Sequence, residues 1–343
     1  MSSQSKPIQV GVAGLGRAGW IIHLAAMAND PRFQIISVAD PVLERRVEAE
    51  TAFRVKSYPS LTEMIAANGV ELVVVATPSI NHFKETAEIL DAGLHCILEK
   101  PMATSFQEAS ELVSKAKKQR RHLLVHHQYA FGPEHLHLKE VLASGVLGHV
   151  FHIEANWANY ARRWDWQTLI KNGGGLLNNA ASHILSALLP LLESRVKSVA
   201  SDLRRIKNAG DAEDHVHLFL RTETGQTVTV LVTSVCALPK PRWVLFGANG
   251  TLISDGVESR LRYFDPSAVP PLQVIDEAAP DRAYQTETLP WQEEIRPTKP
   301  EAAVPDFHAN THEVIRGNAS PLVPLDDALE VMRVIELARA QAT

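Results

Sequence analysis

Strand-like apolar runs alternate with helical stretches over residues 8–125, and this alternation constrains the fold more than any other feature. The run at 72–76 is apolar at every position, which is typical of a strand that helices cover on both faces of a parallel sheet. Further strands are predicted at 8–13, 33–39, 95–98 and 122–125, and helices through Met27 and at 42–52, 83–92 and 105–118. The order of these elements predicts βαβ units in a doubly wound α/β sheet.

After about residue 127 the pattern changes. The predicted elements are a helix at 133–143, a strand at 150–155, an apolar helix at about 180–192, strands at 195–205, 213–221 and 226–235, and a last helix at 326–340. Consecutive strands favour a mostly antiparallel sheet, so this half is predicted to be α+β. We therefore predict two domains, 1–127 and 128–343. Residues 265–305, rich in proline and acidic residues, are predicted to be either mobile or an extended arm over a neighbouring subunit.

The charge balance narrows the range of partners. The 343 residues include 34 lysines and arginines against 39 acidic residues, a formal net charge of −5, which provides no basic footprint for nucleic acid and no polybasic patch for a membrane. No stretch reaches the ~18 consecutive apolar residues that a bilayer span requires. Only Cys96 and Cys236 are present, and the polar N-terminus shows no signal peptide, so a reducing, cytoplasmic location is expected.

A glycine motif, G-x-G-x-x-G, leaves the first predicted strand and opens the first predicted helix. Its first glycine suits a tight turn, its second the close approach of a pyrophosphate, and its third the contact between helix and strand. The anion then lies at the positive end of the helix. The predicted cofactor-binding residues of this loop are Gly14, Leu15, Gly16, Arg17, Ala18 and Gly19.

Asp40 ends the second predicted strand, at the position where a carboxylate can accept hydrogen bonds from both ribose hydroxyls of a dinucleotide. Such a carboxylate repels a 2′-phosphate, so NAD is favoured over NADP. Arg45 and Arg46 follow closely and soften that preference. The alternative is a glycine-rich turn that binds no ligand, with Asp40 capping the next helix.

Two further loops follow predicted strands at their carboxyl ends, where open α/β sheets bind ligands. Thr77, Pro78 and His82 follow the strand at 72–76, and Glu99 and Lys100 follow the strand at 95–98. These five residues complete the predicted cofactor site.

With the glycine motif and Asp40, the Glu99-Lys100-Pro101 sequence resembles the Gfo/Idh/MocA family, named for glucose–fructose oxidoreductase, inositol dehydrogenase and rhizopine catabolism. The stretch 173–183, a glycine triplet followed by Asn179 and His183, is similar to a second motif of that family. The resemblance implies a Rossmann domain joined to an open-faced sheet domain, with substrate between them. It also implies an enzyme that oxidises a secondary alcohol of a sugar, polyol or related carbohydrate with a nicotinamide cofactor, and a homodimer or homotetramer assembled through the open sheet.

In the family, the lysine and the histidine of these motifs share the alcohol, which here implies Lys100 and His183 as catalytic residues. A partly buried lysine near a nicotinamide ring should have a lowered pKa, and histidine titrates near neutrality, which makes His183 the more economical general base. Two plainer interpretations stay open: Lys100 as a surface lysine at a strand end, and His183 as a hydrogen-bonded core histidine.

The sequence also departs from the family pattern. The position usually held by Asp in the second motif is Asn179, and the glycine two residues later is Ala181. An amide can orient a substrate hydroxyl but supplies no negative charge to raise the basicity of His183 or Lys100. Asn179 is therefore a catalytic candidate whose role differs from that of the usual aspartate. Residues 128–131, Gln-Tyr-Ala-Phe, stand where the family often has Asn-Arg-Arg-Phe, which argues against the same anionic substrates or the same interdomain contacts.

The stretch 160–166 carries the candidate substrate contacts. Aromatic faces suit the CH surfaces of sugar rings, and charged side chains suit hydroxyls or an anionic group. The candidates are Tyr160, Arg163, Trp164 and Trp166, together with Asn179 and His183. A structural loop anchored by its tryptophans is the alternative.

No metal site is predicted, because the 15 histidines show no recognised ligand spacing. Three functions stay open: an NAD-dependent dehydrogenase, an enzyme that recycles NAD while cleaving a glycoside through a keto intermediate, and a sugar sensor without catalysis. The dehydrogenase is favoured because Lys100 and His183 are both present, whereas Asn179 is the one feature that favours the sensor.

Overall fold

The first sheet comes from the alternating part of the sequence. Its strands are β1 (Ile8–Ala13), β2 (Phe33–Ala39), β3 (Lys56–Tyr58), β4 (Leu72–Val75), β5 (His95–Glu99) and β6 (Leu123–His126). In the computed structural model, which describes residues 6–277, 284–300 and 303–341, they lie in the order β3-β2-β1-β4-β5-β6 and every pair is parallel. The order reverses between β1 and β4, so the loops that follow these strands flank a crevice at the carboxyl edge of the sheet.

Helices cover this sheet and explain its apolar composition. They are a π-helical segment Ala18–Leu24 that continues into α1 (Ala25–Ala28), then α2 (Leu43–Phe53), α3 (Leu61–Ala66), α4 (His82–Asp91) and α5 (Phe106–Gln119). All four residues of β4 are fully buried, as the unbroken apolar run predicted. Ser60 and Ser105 cap α3 and α5 by accepting hydrogen bonds from the main-chain N–H of Glu63 and Glu108.

The second sheet is larger and mostly antiparallel. Its strands are β7 (Val150–Ala158), β8 (Val196–Arg204), β9 (His215–Thr222), β10 (Thr227–Thr233), β11 (Trp243–Gly247), β12 (Gly250–Ser254), β13 (Glu258–Tyr263) and β14 (Gln292–Pro297). They lie in the order β14-β13-β12-β11-β7-β10-β9-β8, and the central pair β7–β10 is parallel. Both sheets agree with the fold class predicted from the sequence.

One face of the second sheet is covered and the other is open. The remaining helices are α6 (Pro133–Ser144), α7 (Ser182–Leu188), α8 (Phe307–Ile315) and α9 (Leu325–Ala340). Helix α7 contacts β7, and α9 contacts β8 and α7. On the other face, Phe219, Ile253 and Ile295 lie in one cross-strand row and are exposed.

The structure corrects several sequence predictions. Strands β3, β12 and β13 and helices α3 and α8 were not predicted. The helix expected at 180–192 is α-helical only over α7, between a π-helical segment Leu177–Ala181 and a 3₁₀ turn Leu189–Leu191. Within the segment 265–305, Gln292–Pro297 form β14, which pairs antiparallel with β13 of the same chain. Strand β14 was not predicted because an edge strand that is exposed on both faces needs no alternation of apolar and polar residues. Residues 278–283 and 301–302 of that segment lie outside the described residues.

Across the described ranges, no helix combines the length and the apolar character that a membrane span would require.

Candidate active site

The three glycines of the first loop differ in what surrounds them. Gly14 has a φ of +88° and faces the main chain of Ala76, so a side chain is excluded there by conformation and by space. A Cβ on Gly19 would collide with the carbonyl of Gly14, which keeps the helix close to the strand. A Cβ on Gly16 would meet nothing within 4 Å, so the loop is open at the position where a pyrophosphate approaches. The loop therefore fits a dinucleotide.

Asp40 lies at the end of β2, and its carboxylate holds the glycine loop. It accepts hydrogen bonds from the main-chain N–H of Leu15 at 2.8 Å and of Val42 at 2.9 Å. The guanidinium of Arg45 lies 3.4 Å from the same carboxylate, while Arg46 donates to the main-chain carbonyl of Asp40 at 2.8 Å. Both arginines thus lie at the predicted ribose end of the site.

The loops after β4 and β5 are joined by one buried imidazole. His82 Nδ1 lies 2.7 Å from the carbonyl oxygen of Pro101, and its Nε2 lies 2.9 Å from the carbonyl oxygen of Thr77. Burial lowers the pKa of His82. Because both ring nitrogens face main-chain carbonyls, His82 holds these two loops together. The preceding Pro78 begins the short 3₁₀ turn Ser79–Asn81.

Lys100 follows β5 and reaches across to the second motif. Its Nζ donates to the side-chain oxygen of Asn179 at 2.8 Å and to the main-chain oxygen of the same residue at 3.0 Å. Burial lowers the pKa of Lys100 to about 8; Glu99 opposes this shift and Arg163 adds to it. The amine is therefore neutral in about one molecule in ten at pH 7.

The glycine triplet shapes the segment that carries Asn179. Gly175 has a φ of +103°, and a side chain there would collide with the carboxylate of Glu213. That carboxylate accepts a hydrogen bond from the main-chain N–H of Leu177 at 2.9 Å, at the start of the π-helical segment. Glu213, which the sequence analysis did not single out, thus fixes the position from which Asn179 meets Lys100.

His183 is the second residue of α7 and lies against two aromatic rings. Its ring centroid is 4.9 Å from that of Tyr129 and 5.9 Å from that of Trp157. Its Nδ1 is buried and has no hydrogen-bond partner among the described residues. Burial, with a smaller contribution from Lys100, holds the pKa of His183 well below its usual value. The expectation of a histidine that titrates near neutrality is therefore wrong, because burial outweighs its intrinsic basicity.

His127 is a functional candidate that the sequence analysis missed. It follows β6, is 1% exposed, and both of its ring nitrogens lack a hydrogen-bond partner in the described parts of the chain. Burial lowers its pKa to about 3, and Lys100 contributes to that shift. His127 also adds to the lowered pKa of His183, so the three groups lie within electrostatic range. Its two ring nitrogens without partners are available to hydrogen-bond a ligand. Only the tertiary structure shows that they lack partners.

Only part of the stretch 160–167 lies at the site. Arg163 donates to both carboxylate oxygens of Asp165 at 2.8 Å, and it also contacts the side-chain oxygen of Gln167. The same oxygen accepts from the side-chain amide of Asn179 at 3.0 Å, which links Arg163 to Lys100. Trp164, by contrast, is 82% exposed, and Tyr160 and Trp166 are also exposed. The structure therefore assembles Arg163 with the catalytic candidates and leaves these three aromatic rings in solvent.

A second group of side chains lies beneath Lys100. Glu99 accepts from His23 at 3.0 Å and from His126 at 2.8 Å. His23 also lies 3.1 Å from His308 of α8. These residues are far apart in the sequence, so no spacing between them predicts that they lie together.

Comparison with known families agrees with this architecture. Residues 8–127 match the oxidoreductase family with an NAD-binding Rossmann fold, GFO_IDH_MocA. Residues 135–253 match the GFO/IDH/MocA C-terminal domain. The two matches together cover more than half of the chain, and they meet near the junction between β6 and α6.

Individual relatives span nearly the whole chain. The chain is 27% identical to the uncharacterized oxidoreductase YdgJ of Escherichia coli, over 97% of this chain and 96% of that protein. It is 23% identical to the scyllo-inositol 2-dehydrogenase (NADP(+)) IolW of Bacillus subtilis, over 96% of this chain and 92% of that protein. The crystal structure of an NAD-binding protein from Listeria innocua superposes with a TM-score of 0.83 at 25% identity, covering 98% of this chain and 97% of that one.

The glycine loop, the lysine after β5 and the histidine of α7 therefore occur in the two-domain setting that these matches describe. The chain belongs to the GFO/IDH/MocA family and is an oxidoreductase with an NAD-binding Rossmann fold.

Proposed function

We propose that the protein is an NAD(P)-dependent dehydrogenase that oxidises a secondary alcohol of a sugar, polyol or related carbohydrate, or reduces the corresponding ketone. The observation that carries this proposal is the buried amine of Lys100, held by Asn179 and within electrostatic range of two imidazoles that have unused ring nitrogens. The family supports an oxidoreductase of this class, and a relative that spans 96% of the chain is a scyllo-inositol dehydrogenase.

When bound, a nicotinamide cofactor would supply the hydride acceptor for oxidation and the hydride donor for reduction. Gly14, Gly16 and Gly19 form the pyrophosphate cradle, and Asp40 lies at the ribose end. The protein's own task is then to orient the carbinol and to move one proton.

Lys100 is the better proton acceptor of the two catalytic candidates. A general base works best when its pKa lies near the operating pH, and the pKa of Lys100 is about 8. The pKa of His183 is held well below its usual value, which makes it a weak base. We assign the hydroxyl proton to neutral Lys100, while neutral His183 hydrogen-bonds the hydroxyl through its unused Nδ1. Asn179 aims the amine, and the protonated lysine then stabilises developing negative charge on oxygen.

The decisive experiment measures NADH and NADPH formation across a panel of inositols, free sugars, sugar acids and glycosides, with product analysis on the same samples. Lys100→Met, which keeps the chain length without the amine, is expected to lose about 10²–10⁴-fold in turnover on any active substrate. Its affinity for NAD, measured by titration calorimetry, should change less than threefold. Glycoside cleavage without net NADH would indicate the recycling reaction instead, and bound NAD with no turnover on any class would favour a sensor.

NAD is the favoured cofactor, with NADP less favoured. The carboxylate of Asp40 supports NAD, whereas Arg45 and Arg46 offer a 2′-phosphate two cations, and one relative uses NADP(+). Asp40→Asn keeps the acceptor oxygen for Leu15 but removes the charge that repels phosphate. The ratio of kcat/KM for NADP over NAD should therefore rise about tenfold or more. Asp30→Asn, which removes a surface charge paired with Arg32, is the matched control and should leave the ratio unchanged.

The open face of the second sheet supports a homodimer or homotetramer. Phe219, Ile253 and Ile295 are exposed apolar side chains on this face, in a cross-strand row that also carries Thr229, Glu154 and Arg260. Contact with a second copy of the chain would remove them from water. Light scattering should give a mass of two or four chains, and Ile253→Lys should reduce it. We also propose the domain boundary at 127/128, which the separate family matches to 8–127 and 135–253 support, and a cytoplasmic location, which the paucity of cysteine supports.

A further inference from the structure

Three buried side chains from distant parts of the chain point at one position. They are His23 through Nε2, Glu99 through Oε1 and His126 through Nδ1, and these three atoms all lie within 4.8 Å of one another. The two edges of this triangle that meet at Glu99 measure 3.0 and 2.8 Å. Neighbouring ligands around a tetrahedral zinc ion, each about 2.05 Å away, lie about 3.3 Å apart, so these two hydrogen-bond distances would open by about 0.4 Å when the ion binds.

Local backbone irregularities aim each donor at this position. His23 lies in the π-helical segment Ala18–Leu24, a widened turn that is frequent at functional sites. Glu99 is the last residue of β5. His126 is the centre of a tight turn in which the N–H of His127 donates to the carbonyl of Val125 at 2.9 Å, at the end of β6. The cluster thus joins the helix of the glycine loop to two neighbouring strands.

The charge of the cluster favours a cation. Glu99 is 7% exposed, and its side-chain ion-pair partners within the described residues are the imidazoles of His23 and His126. Glu99 Oε1 accepts from both imidazoles, and its Oε2 accepts from the main-chain N–H of Lys100 at 3.3 Å. A metal ion would bind the two rings through the nitrogens that now face Glu99, in their neutral form. A divalent ion would also supply the positive charge that a buried carboxylate requires.

The surroundings add a supporting contact and a nearby cavity. The second nitrogen of His23, Nδ1, lies 3.1 Å from Nε2 of His308, the kind of outer contact that fixes the tautomer of a metal-binding histidine. His126 also lines a cavity of about 480 Å³, together with Ile22, Gln128 and Phe131. The cavity therefore approaches the cluster from the side of His126.

We propose that His23, Glu99 and His126 form a binding site for one divalent transition-metal ion, with Zn²⁺ as the favoured occupant. Two imidazole nitrogens and one carboxylate oxygen are the donor set of many zinc sites, and imidazole with carboxylate is a poor set for Mg²⁺ or Ca²⁺. The site revises the sequence-based expectation that no metal is bound. The ion would bridge the glycine-loop helix to β5 and β6 and so stabilise the fold.

The test uses the full-length protein without an affinity tag, freed of metal by a chelator and dialysed. Zn²⁺ is titrated by calorimetry, and Co²⁺ is titrated by visible absorption, which reports coordination directly. We expect one ion per chain and a melting temperature that rises when Zn²⁺ is added and falls again with chelator. Binding by the wild type at less than half an equivalent of either ion would overturn the proposal and leave a metal-free hydrogen-bonded triad.

Variants separate this site from surface histidines. His126→Gln keeps a hydrogen-bond donor for Glu99 but removes a ligand, and we expect at least a 100-fold loss in Zn²⁺ affinity. His23→Gln serves in the same way if His126→Gln does not fold, as judged by circular dichroism. His149→Ala, which removes an exposed histidine paired with Glu193, is the control and should bind like the wild type. Wild-type affinity in both Gln variants, or its loss in His149→Ala, would overturn the proposal. None of these readouts depends on turnover.

Discussion

The Nζ of Lys100 lies 2.8 Å from the side-chain oxygen of Asn179 and 3.0 Å from the main-chain oxygen of the same residue. Two acceptors on one residue fix the direction of the amine without adding a formal charge. An aspartate in the same place would form an ion pair and stabilise the ammonium form. The amide therefore leaves burial as the main influence on the pKa of Lys100, which is about 8.

The first prediction concerns pH. If Lys100 takes the proton in its neutral form, kcat/KM for alcohol oxidation should rise as the pH increases through about 8, the pKa of the free enzyme, and then level off. Ketone reduction needs the protonated amine, so its kcat/KM should fall across the same interval. Steady-state rates between pH 6 and 10 in both directions test this. A pH-independent rate in both directions would contradict the role of Lys100.

The second prediction is that Asn179→Asp moves the same profile. A carboxylate within hydrogen-bond distance stabilises the ammonium form of Lys100, so the midpoint for oxidation should rise by about one pH unit or more. Asn178→Asp is the matched control, because the side-chain oxygen of Asn178 faces Arg339 and not Lys100. Equal profiles for Asn179→Asp and the wild type would show that Asn179 does not govern the amine.

The third prediction separates stability from function at His127. Its two ring nitrogens are buried without partners, so His127→Phe removes an unsatisfied polar group and should stabilise the ligand-free protein by about 1–3 kcal/mol. The same change should lower kcat/KM, since a ligand loses two hydrogen-bonding atoms. Urea unfolding and steady-state kinetics measure the two effects.

His135→Phe is the comparison for that experiment. His135 is buried as well, but its Nδ1 is bonded to the carbonyl oxygen of Ala187 at 2.8 Å. Its replacement should therefore destabilise the protein. If both variants lose the same free energy of unfolding, the missing hydrogen-bond partners of His127 do not destabilise the protein.

The fourth prediction concerns the glycine triplet. Gly175→Ala places a side chain at a φ of +103° and against the carboxylate of Glu213, so it should destabilise the fold and displace Asn179. Gly225→Ala has a similar φ of +96° with nothing within 4 Å, and should lose only about 1–2 kcal/mol to backbone strain. Urea unfolding of the two variants isolates the collision. A smaller loss for Gly175→Ala than for Gly225→Ala would contradict this account of Glu213.

The doubly wound sheet could be predicted because its evidence is local. The apolar run of β4 and the glycine motif each carry their meaning within a few residues. Strand β14 could not be predicted in the same way, because it pairs at an edge and its side chains face water on both sides. Its place depends on the free edge of β13, about thirty residues earlier.

The candidate site likewise contains residues that could be predicted from the sequence and residues that could not. Lys100 and His183 were found through motif resemblance, but the pKa of His183 depends on the depth of its burial, which no motif reports. His127 was passed over because an unpartnered ring nitrogen exists only in three dimensions. Glu213 acts through Gly175, and neither the carboxylate nor the glycine signals that contact in sequence.

His82 connects the loop after β4 to the loop that carries Lys100, and it does so with a single ring between two carbonyl oxygens. In its neutral form, which burial favours, this imidazole has one N–H to share between the carbonyl oxygens of Thr77 and Pro101. The two loops therefore compete for one proton. In the proposed function, a cofactor that donates a hydrogen bond to the Thr77 carbonyl would leave the imidazole N–H to Pro101, the residue next to Lys100.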